Sequence, residues 1–574
     1  MAYLEKYKEW MGNPYFDEET RAELYSIKDN SKEIEDRFYR ELEFGTGGLR
    51  GIIGAGTNRI NNYTVRRATQ GLANFVLKEK GADKGVVIAY DSRRKSPGFA
   101  KEAALCLAAN GIKVYLFDAL RPTPELSFAV RELGCIAGVV ITASHNPAEY
   151  NGYKVYWEDG AQITPPKDEQ IIAEVNAISS YTTPKTMAET AALTSGKLQM
   201  IGASLDDRYF EALKGQVLNA DLIKVQGKNL KIVYTPLHGA GNVPVQRILR
   251  ELGFVNVFVV KEQELPDGNF PTVESPNPEN KSAFEMALVL AREVAADVVL
   301  ATDPDADRLG IYARDLKTGE YKAFTGNMSA MIILAYQLEQ RKEKGLLPGN
   351  GAIVTTIVSG KMGKEVAGAY DVSVFETLTG FKFIGQKIEQ FERDYSHQFL
   401  FGYEESYGCL LGTDVRDKDA VVAVMALCEA AAYYQSKGLT LCEQMDILFD
   451  QYGYFFENLE TVTLKGKEGI EKIDRIMNQI RKEPPKNLAD FKVYSFTDYQ
   501  QDKKYDFLNG KIMAAGLPGS NVLHFTLEND AWCCVRPSGT EPKIKFYIGV
   551  KGSDRAKTIQ NGELLMAAVK RLVE

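Results

Sequence analysis

Features that would place this chain in a membrane, in a secretory pathway or on nucleic acid are missing from its 574 residues. Nowhere do about 18 apolar residues run together, and the longest apolar run, Ala420 to Cys428, is too short to span a bilayer. The first ten residues, MAYLEKYKEW, lack the apolar core of a secretory signal. A net charge of −8 argues against general binding to nucleic-acid backbones or anionic membranes. We therefore expect a cytoplasmic protein that binds neither nucleic acid nor a membrane.

Several common functional motifs are also missing. The 7 cysteines form no CxxC pair, which predicts buried, reduced thiols instead of a disulfide framework. The 4 histidines are far apart in sequence, so neither an HExxH helix nor a zinc ligand pair is present. The chain contains no GxxxxGK[ST] segment and no GxGxxG next to a strand, which leaves a nucleotide-binding loop unsupported.

What the sequence does contain is enough material for about four domains of roughly 150 residues. Six β-branched runs alternate with amphipathic helical stretches, a pattern that predicts parallel sheets covered by helices. These runs are Val86–Asp91, Lys113–Asp118, Ala137–Ser144, Lys231–Pro236, Asp297–Asp303 and Ala352–Ser359. The predicted fold class is α/β, with three consecutive α/β domains of mixed, mostly parallel sheets and a smaller C-terminal α+β domain around a central cleft. The expected domains are residues 1–204, 205–318, 319–452 and 453–574.

The first segment with chemical potential is ITASHNPAEYNGYK, residues 141–154. Ser144 directly follows an apolar strand, where α/β domains usually present reactive groups. A serine hydroxyl is a weak nucleophile unless a base or a metal activates it, and His145 and Lys154 are close in sequence. The structural alternative is a turn serine that caps its own backbone.

The second segment is ATDPDADRLG, residues 301–310, in which Asp303, Asp305 and Asp307 alternate after a very apolar strand. Three carboxylates at this spacing repel one another unless a cation lies among them, and a small hard ion such as Mg²⁺ prefers oxygen ligands. The loop does not fit an EF-hand, which needs a glycine at position six and a glutamate at position twelve. A solvated acidic turn is the alternative interpretation.

The third segment is FGYEESYGCLLGTDVRDKDA, residues 401–420. Glu404 and Ser406 stand two apart in a glycine-flanked loop and are suited to hydrogen bonds with neighbouring sugar hydroxyls. Lys418 stands between two aspartates, and a lysine that acts as a base must be made neutral by burial or by nearby cations. An exposed charged turn is the alternative.

The fourth segment is CVRPSGTEPKIKFYIGV, residues 534–550. It concentrates a cation, hydroxyls and an unhindered backbone in one loop, a combination that suits a phosphate dianion. The residues concerned are Arg536, Ser538, Gly539, Thr540 and Lys543. A generic Pro-Gly turn is the alternative.

Together the four segments resemble the α-D-phosphohexomutase superfamily. Its signatures are a serine in TASHNP, a DxDxDR metal loop, a GE(E/M)S sugar loop and a late RxSGTEP-like phosphate loop, and here they stand in the family's order over nearly the whole chain. Further segments that look like family landmarks are FGTGGLRG (residues 44–51), PDGNFP (266–271), PNPE (276–279) and TLTGFKFIG (377–385).

The resemblance implies a role for each residue. Ser144 would be the phosphorylated residue, and its phosphate would share Mg²⁺ with Asp303, Asp305 and Asp307. Cations near the phosphate would be Arg50 and Arg308, with His145 beside the serine. Glu404 and Ser406 would bind sugar hydroxyls, Thr379 and Gly380 would shape the other wall, and Arg536 to Thr540 with Lys543 would anchor the second phosphate.

The resemblance leaves the proton-transfer residue open. One branch of the superfamily has a histidine after the sugar loop, where this chain has Gly408. The glucose branch has a lysine in a KDG-like segment, matched here by Lys418, although Ala420 replaces the glycine. Lys154 is the second candidate.

The resemblance also implies an activity. We expect interconversion of glucose 1-phosphate and glucose 6-phosphate, with glucose 1,6-bisphosphate as intermediate, by a monomer or weak dimer. Action on ribose 1- and 5-phosphates or on mannose phosphates is the alternative within the superfamily, and a metal-dependent sugar phosphatase is the alternative from another class. We further expect Arg50, Arg308, Arg536 and Lys418 to converge as a local positive region in a negative protein.

Overall fold

A computed structural model describes residues 2–45, 48–464, 466–517, 519–538 and 543–573 of the protein. The chain divides into two compact units. The first unit holds the chain up to Ser329 together with Phe381–Thr440, and the second holds Ala330–Gly380 and the chain from Leu441 onward.

Three short helices precede the first sheet: α1 (Ala2–Gly12), α2 (Glu18–Ser26) and α3 (Ser31–Phe38). Asp17 and Asn30 cap the second and third helices, because their side chains accept hydrogen bonds from backbone amides of the first turn. The helices enclose a small aromatic core in which Trp10 stacks on Phe16 at 4.2 Å and meets Phe38 edge-on at 5.7 Å. This helical element was not predicted from the sequence.

The first sheet has six strands in the order β1-β5-β4-β2-β3-β6. Its strands and helices follow one another as β1 (Gly48–Ile52), α4 (Asn62–Lys78), β2 (Val86–Tyr90), α5 (Ser96–Ala109), β3 (Val114–Phe117), α6 (Thr123–Glu132), β4 (Ala137–Ile141), β5 (Tyr150–Trp157), α7 (Lys167–Asn176), α8 (Glu189–Thr194) and β6 (Leu198–Ile201). The four strands β2, β3, β4 and β6 are parallel, whereas β5 and β1 run antiparallel to their neighbours. Strands β2 and β4 are apolar on both faces because helices cover both faces of the sheet.

The second sheet has five strands in the order β11-β10-β9-β7-β8. Its elements are α9 (Ala203–Lys214), α10 (Ala220–Gln226), β7 (Lys231–Thr235), α11 (Asn242–Leu252), β8 (Asn256–Val259), α12 (Lys261–Glu264), α13 (Glu285–Val294), β9 (Val298–Thr302), β10 (Leu309–Arg314) and β11 (Tyr321–Phe324). Strands β7, β8 and β9 are parallel, and β10 and β11 add an antiparallel edge. The turn between β9 and β10 holds the three aspartates of residues 303–307.

The next part of the chain contributes to both units. Its elements are α14 (Gly326–Glu343), β12 (Gly351–Thr356), α15 (Met362–Gly368), β13 (Ser373–Thr377), α16 (Phe381–Asp394), β14 (Gln398–Glu404), β15 (Gly408–Leu411), α17 (Ala420–Ser436) and α18 (Leu441–Tyr452). In the second unit β12 and β13 pair in parallel, and in the first unit β14 and β15 form an antiparallel hairpin. Helix α17 is apolar on all sides because it is buried from Ala420 to Tyr434, and Asp419 caps its first turn.

The C-terminal part of the second unit is an antiparallel sheet with helices. Its elements are β16 (Tyr454–Thr463), α19 (Gly466–Lys482), β17 (Asn487–Leu488), β18 (Phe491–Asp498), β19 (Lys503–Asp506), β20 (Lys511–Met513), β21 (Leu523–Leu527), β22 (Trp532–Pro537), β23 (Lys543–Gly552) and α20 (Arg555–Lys570). The strand order is β16-β23-β22-β21-β18-β19-β20, with β17 beside β18. The predicted fold class, α/β domains with mixed sheets and a C-terminal α+β domain, is confirmed.

The cysteines and the helix lengths can be compared with the expectations from the sequence. All seven cysteines are free and buried, as predicted. Across the described ranges of the chain, no helix combines the length and the apolar character that crossing a membrane requires.

Candidate active site

Ser144 lies in the loop that follows strand β4. Its side chain is buried, with 3% of its surface exposed, and its backbone adopts a left-handed conformation with φ of 51°. A non-glycine residue in this region needs support from its surroundings, and part of it comes from Thr142, whose hydroxyl accepts a hydrogen bond from the Ser144 amide at 2.7 Å. The conformation therefore fixes the direction in which the serine side chain leaves the backbone.

The hydroxyl of Ser144 contacts a carboxylate from the second sheet. Ser144 Oγ donates a hydrogen bond to Asp303 Oδ2 at 2.7 Å. His145 Nδ1 lies 3.1 Å from Ser144 Oγ. Asp303 directly follows β9, and Ser144 follows β4, so the carboxyl ends of strands from two sheets meet at this point. This is where α/β domains usually bind their ligands.

Asp303, Asp305 and Asp307 form a cluster that we call the three-aspartate site. One oxygen of each carboxylate lies within 4.8 Å of the others, and all three residues are buried. The Oδ1 atoms of Asp305 and Asp307 have no hydrogen-bond partner among the residues that the structure describes. Burial, reinforced by the charges of its two neighbours, holds the pKa of Asp303 well above its usual value. Buried, unsatisfied oxygen donors that repel one another fit a divalent cation.

Two partly buried lysines contact the three-aspartate site. Lys154 Nζ lies 2.8 Å from Asp305 and 3.6 Å from Asp307, whereas Lys418 Nζ lies 3.2 Å from Asp307 and 3.0 Å from Asp417. Burial would lower the pKa of each lysine, but the carboxylates outweigh burial and raise it. Both lysines are therefore cations here, whereas a lysine base must be neutral.

Arginines surround the Ser144 loop as well. Arg50 on β1 donates to Asn146 Oδ1 at 3.1 Å, and Arg308 forms an ion pair with Glu279 while its amide donates to Asp303 Oδ1 at 3.0 Å. Burial, together with the charges of Arg308 and Arg50, lowers the pKa of His145 well below its usual value. The loop is thus an electropositive environment in which His145 is neutral.

The hairpin of β14 and β15 brings the predicted sugar-binding residues close to the aspartates. Glu404 ends β14, is buried, and pairs across the hairpin with Gly408, while Ser406 lies in the turn between them. The amide of Leu309, on β10, donates to the carbonyl of Tyr407 at 2.9 Å. This hydrogen bond ties the turn to the strand that follows the three-aspartate site.

The remaining predicted site residues belong to the second unit. Gly380 follows β13 with a φ of 121°, which a residue with a side chain rarely adopts, and the hydroxyl of Thr379 is buried. Arg536 lies on β22, and the amide of Ser538 donates to the carbonyl of Lys543 at 2.8 Å. Gly539 and Thr540 lie outside the described residues, as do Thr46 and Gly47 of the early glycine-rich segment.

Arg93 is fully buried beneath the Ser144 loop and was not predicted from the sequence as a site residue. Its guanidinium donates to the backbone carbonyls of Ser144, Asn146, Pro147 and Tyr150. The available signal was its position, since Arg93 follows strand β2 in the segment DSRRKS just as Ser144 follows β4.

Thr123 was also missed. Its amide donates to the carbonyl of Asp305 and its hydroxyl to the Asp305 carboxylate, both at 2.9 Å. Thr123 is the first residue of α6, so the start of a helix in the first domain supports the loop of the second. No sequence pattern marks this contact, because the two residues are far apart in the chain.

Comparison with known proteins gives a match over four consecutive regions. Residues 41–182, 207–318 and 325–452 match the phosphoglucomutase/phosphomannomutase alpha/beta/alpha domains I, II and III, and residues 471–565 match the C-terminal domain of the same family.

Curated relatives and solved structures agree with this match. A phosphoglucomutase of Staphylococcus epidermidis is 38% identical over 538 residues, which cover 93% of this chain and 95% of the relative, and one of Staphylococcus aureus is 37% identical over 532 residues, 92% and 93% of the two chains. The open form of Paramecium pp63/parafusin aligns with a TM-score of 0.67 at 18% identity, covering 93% of this chain and 96% of that one. A phosphoglucomutase/phosphomannomutase family protein of Burkholderia thailandensis gives 0.65 at 18% identity over 92% and 97%. At these identities the two structures support the fold.

Proposed function

The chain belongs to the phosphoglucomutase/phosphomannomutase family, and from that premise we propose that it is a phosphoglucomutase that interconverts α-D-glucose 1-phosphate and glucose 6-phosphate. The observation that carries the proposal is the 2.7 Å contact between the Ser144 hydroxyl and Asp303 of the three-aspartate site. A serine held against a cation-binding cluster is suited to carry and transfer a phosphoryl group.

Mg²⁺ is the proposed metal, held by Asp303, Asp305, Asp307 and an oxygen of phosphorylated Ser144. When bound it would neutralise charge on the transferring phosphoryl oxygens. The unsatisfied Oδ1 atoms of Asp305 and Asp307 support this assignment, because they are hard oxygen donors without a hydrogen-bond partner in the described chain.

In the proposed reaction, the bond between phosphorus and Ser144 Oγ breaks as a bond to the sugar's free hydroxyl forms, giving glucose 1,6-bisphosphate. Lys418 and Lys154, which are protonated beside the aspartates, are the candidates for proton transfer. A lysine that gives its proton to the departing Ser144 Oγ becomes neutral and can then accept the proton of the sugar hydroxyl. The bisphosphate then turns over, and its other phosphate returns to Ser144. Transition-state charge lies on the peripheral phosphoryl oxygens, so fixed cations such as Arg50 and Arg308 stabilise it.

The proposed substrate contacts are those that the family resemblance implies. Glu404 and Ser406 would bind sugar hydroxyls, and Thr379 and Gly380 would shape the opposite wall. The distal phosphate would bind the loop of Arg536, Ser538, Gly539, Thr540 and Lys543. We also propose domain boundaries at residues 204, 318 and 452, and a protein that works in the cytoplasm as a monomer or weak dimer.

Two measurements test the catalytic proposal. Intact-mass analysis should find one phosphate on the purified protein that disappears when glucose 1-phosphate is added. Ser144→Ala should lower kcat for formation of glucose 6-phosphate by at least ~10³-fold, because the phosphoryl carrier is lost. Ser195→Ala, at an exposed serine after α8, is the matched control and should match the wild type. Near-normal mutase turnover by Ser144→Ala would refute the scheme.

The substrate is tested separately. Parallel kcat/KM measurements on glucose, mannose and ribose 1-phosphates should give the highest value for glucose. A higher value for ribose or mannose would reassign the substrate within the same chemistry. Release of inorganic phosphate without isomer formation would instead identify a phosphatase.

A further inference from the structure

Gly408 lies where the side chain of Lys418 passes across the β14–β15 hairpin. A Cβ atom placed on Gly408 would lie 2.0 Å from Lys418 Cδ, 2.5 Å from its Cγ and 3.3 Å from its Cβ. Gly408 is an ordinary strand residue at the start of β15 and has no positive φ. The backbone therefore does not require glycine here, and the requirement comes from the space that the lysine occupies.

Both ends of Lys418 are fixed. Its backbone amide donates to Asp417 Oδ1 at 2.7 Å, and Asp417 is itself held by a 2.6 Å hydrogen bond from the Tyr156 hydroxyl. Its ammonium group lies 3.2 Å from Asp307 and 5.5 Å from the centre of the Phe381 ring. With the ends fixed in this way, the four-carbon stem crosses directly over the Gly408 backbone.

A side chain at position 408 would displace this stem. Non-bonded carbon atoms normally pack at about 3.5–4.0 Å, so a methyl group at position 408 would push Lys418 Cδ away by roughly 1.5 Å or more. The displaced atoms belong to a flexible side chain, so the hairpin itself need not move. The ammonium group would lose its place beside Asp307, while its charge would remain in the protein.

We propose that Gly408 is a positioning residue whose missing side chain lets Lys418 reach the three-aspartate site. The proposal rests on the proposed function, in which Lys418 is one of the two candidates for proton transfer. The proposal further implies that a side chain at position 408 would occupy the same volume as the stem of Lys418. Only one of the two positions can therefore carry a side chain in that volume.

A double-mutant cycle tests the proposal with three variants: Gly408→Ala, Lys418→Met and the double variant. If Lys418 takes part in proton transfer, Lys418→Met should lower kcat by about 10²–10⁴-fold. Gly408→Ala should lower kcat by at least roughly tenfold and change KM by less than about threefold, because it displaces one group and leaves substrate contacts in place. The double variant should match Lys418→Met within about twofold, because the ammonium group whose position Gly408→Ala disturbs is already absent from Lys418→Met.

Gly349→Ala is the matched control, since a Cβ there meets no atom within 4 Å. It should keep wild-type kcat, and the apparent Tm of Gly408→Ala should stay within about 2 °C of this control.

Three results would overturn the proposal. In the first, Gly408→Ala keeps wild-type kcat while Lys418→Met is impaired. In the second, the two losses multiply in the double variant, which would indicate a structural role for Gly408. In the third, Lys418→Met turns over normally, which would also remove the assigned role of Lys418. In that last case the proposed function would stand as long as the wild-type protein shows mutase turnover. A wild-type protein without mutase turnover would refute the proposed function itself.

Discussion

Arg93 supports the backbone of the Ser144 loop from below. The planar guanidinium offers five donors, and here they reach four carbonyls, with Nη1 at 2.9 Å from Pro147 and 3.0 Å from Tyr150. Its charge faces Asp91 at 3.5 Å, and its face packs on the Phe270 ring at 5.0 Å. A lysine has the same charge but cannot reproduce this fork.

We therefore expect Arg93→Lys to change both stability and catalysis. Buried carbonyls would lose their donors, and the free energy of unfolding should fall by about 2–4 kcal/mol in urea titrations. The loop that holds Ser144 would relax, so kcat should fall at least roughly tenfold. The neighbouring Arg94→Lys is the control, because Arg94 is exposed and donates to a single carbonyl, that of Ala148. Equal behaviour of the two variants would contradict the assigned role.

Asp419 gives a prediction on pH. Burial raises the pKa of its carboxyl to about 6, although hydrogen bonds from the Val421 and Val422 amides and the Tyr209 hydroxyl favour the charged form. The folded-state pKa lies above the unfolded value of 3.8, so protonation stabilises the folded state. This contribution is fully present below pH 3.8 and is lost as the pH rises through about 6.

The comparison is with Asp419→Asn, which keeps an acceptor for the helix amides and does not titrate. From pH 7.5 to pH 5 the free energy of unfolding of the wild type should rise by about 1 kcal/mol relative to the variant, toward a limit of about 3 kcal/mol. Asp554→Asn, at the exposed N-cap of α20, controls for the loss of a capping carboxylate. A difference between wild type and Asp419→Asn that stays constant with pH would contradict the prediction.

Single residues differ in how visible they are in sequence. Ser144 and Asp303 follow apolar strands within distinctive local motifs, so the sequence alone marks them as candidate site residues. Arg93 and Gly408 act through partners that approach only after folding. Arg93 contacts Ser144, which lies 51 residues further along the chain. Gly408 leaves space for the side chain of Lys418, which packs against it in the folded protein. Their roles depend on packing geometry, which no local pattern encodes.

At the scale of elements, helices α1–α3 support the turn that precedes α4. Glu23 accepts a hydrogen bond from the Ala55 amide at 3.1 Å, and the carbonyl of Arg37 accepts one from Asn58 at 2.9 Å. This turn follows directly after β1, which carries Arg50. The N-terminal helices therefore brace the turn after β1, the strand that brings Arg50 to the Ser144 loop.

Trp10 is the central residue of this element, and it contacts Phe16, Phe38, Tyr63 and Tyr181. Trp10→Ala should lower the free energy of unfolding of the N-terminal helices by about 3–5 kcal/mol, because a large buried side chain leaves a cavity. Limited proteolysis should then cleave within residues 2–38 faster than in the wild type. Tyr25→Ala, at a side chain that is 57% exposed, should cleave at the wild-type rate. Unchanged cleavage of Trp10→Ala would show that the aromatic core does not hold these helices.

The sequence predicts elements better than their pairing. The β-branched runs that begin at Val86, Ala137 and Asp297 correspond to strands β2, β4 and β9, with boundaries that agree within a few residues. The antiparallel insertion of β5 between β4 and β1 was not predicted, because strand direction depends on long-range pairing. That pairing places Arg50 opposite Gly152, where a Cβ would lie 2.4 Å from the Thr142 carbonyl oxygen.

At the scale of the whole molecule, local charge departs from the net charge of −8. The positive charges of Arg50 and Arg308 both lower the pKa of His145, and the ammonium group of Lys418 contacts Asp307. These three cations therefore surround the Ser144 loop and the three-aspartate site. The position of Arg536 relative to them stays a prediction. A local cluster of cations in an acidic protein suits a small anionic substrate.

The burial of all seven cysteines makes the thiols reporters of global integrity. Burial raises the pKa of Cys106 and of Cys135 to about 12, so few thiolates form at neutral pH even apart from the steric barrier. The native protein should therefore show no rapid reaction with Ellman's reagent, and all seven thiols should react in denaturant. Because labelling requires opening of a core, its rate should rise with urea in parallel with loss of secondary structure. A thiol that reacts rapidly in the native protein, located by peptide mass analysis, would contradict this prediction and mark a region that opens independently of the rest.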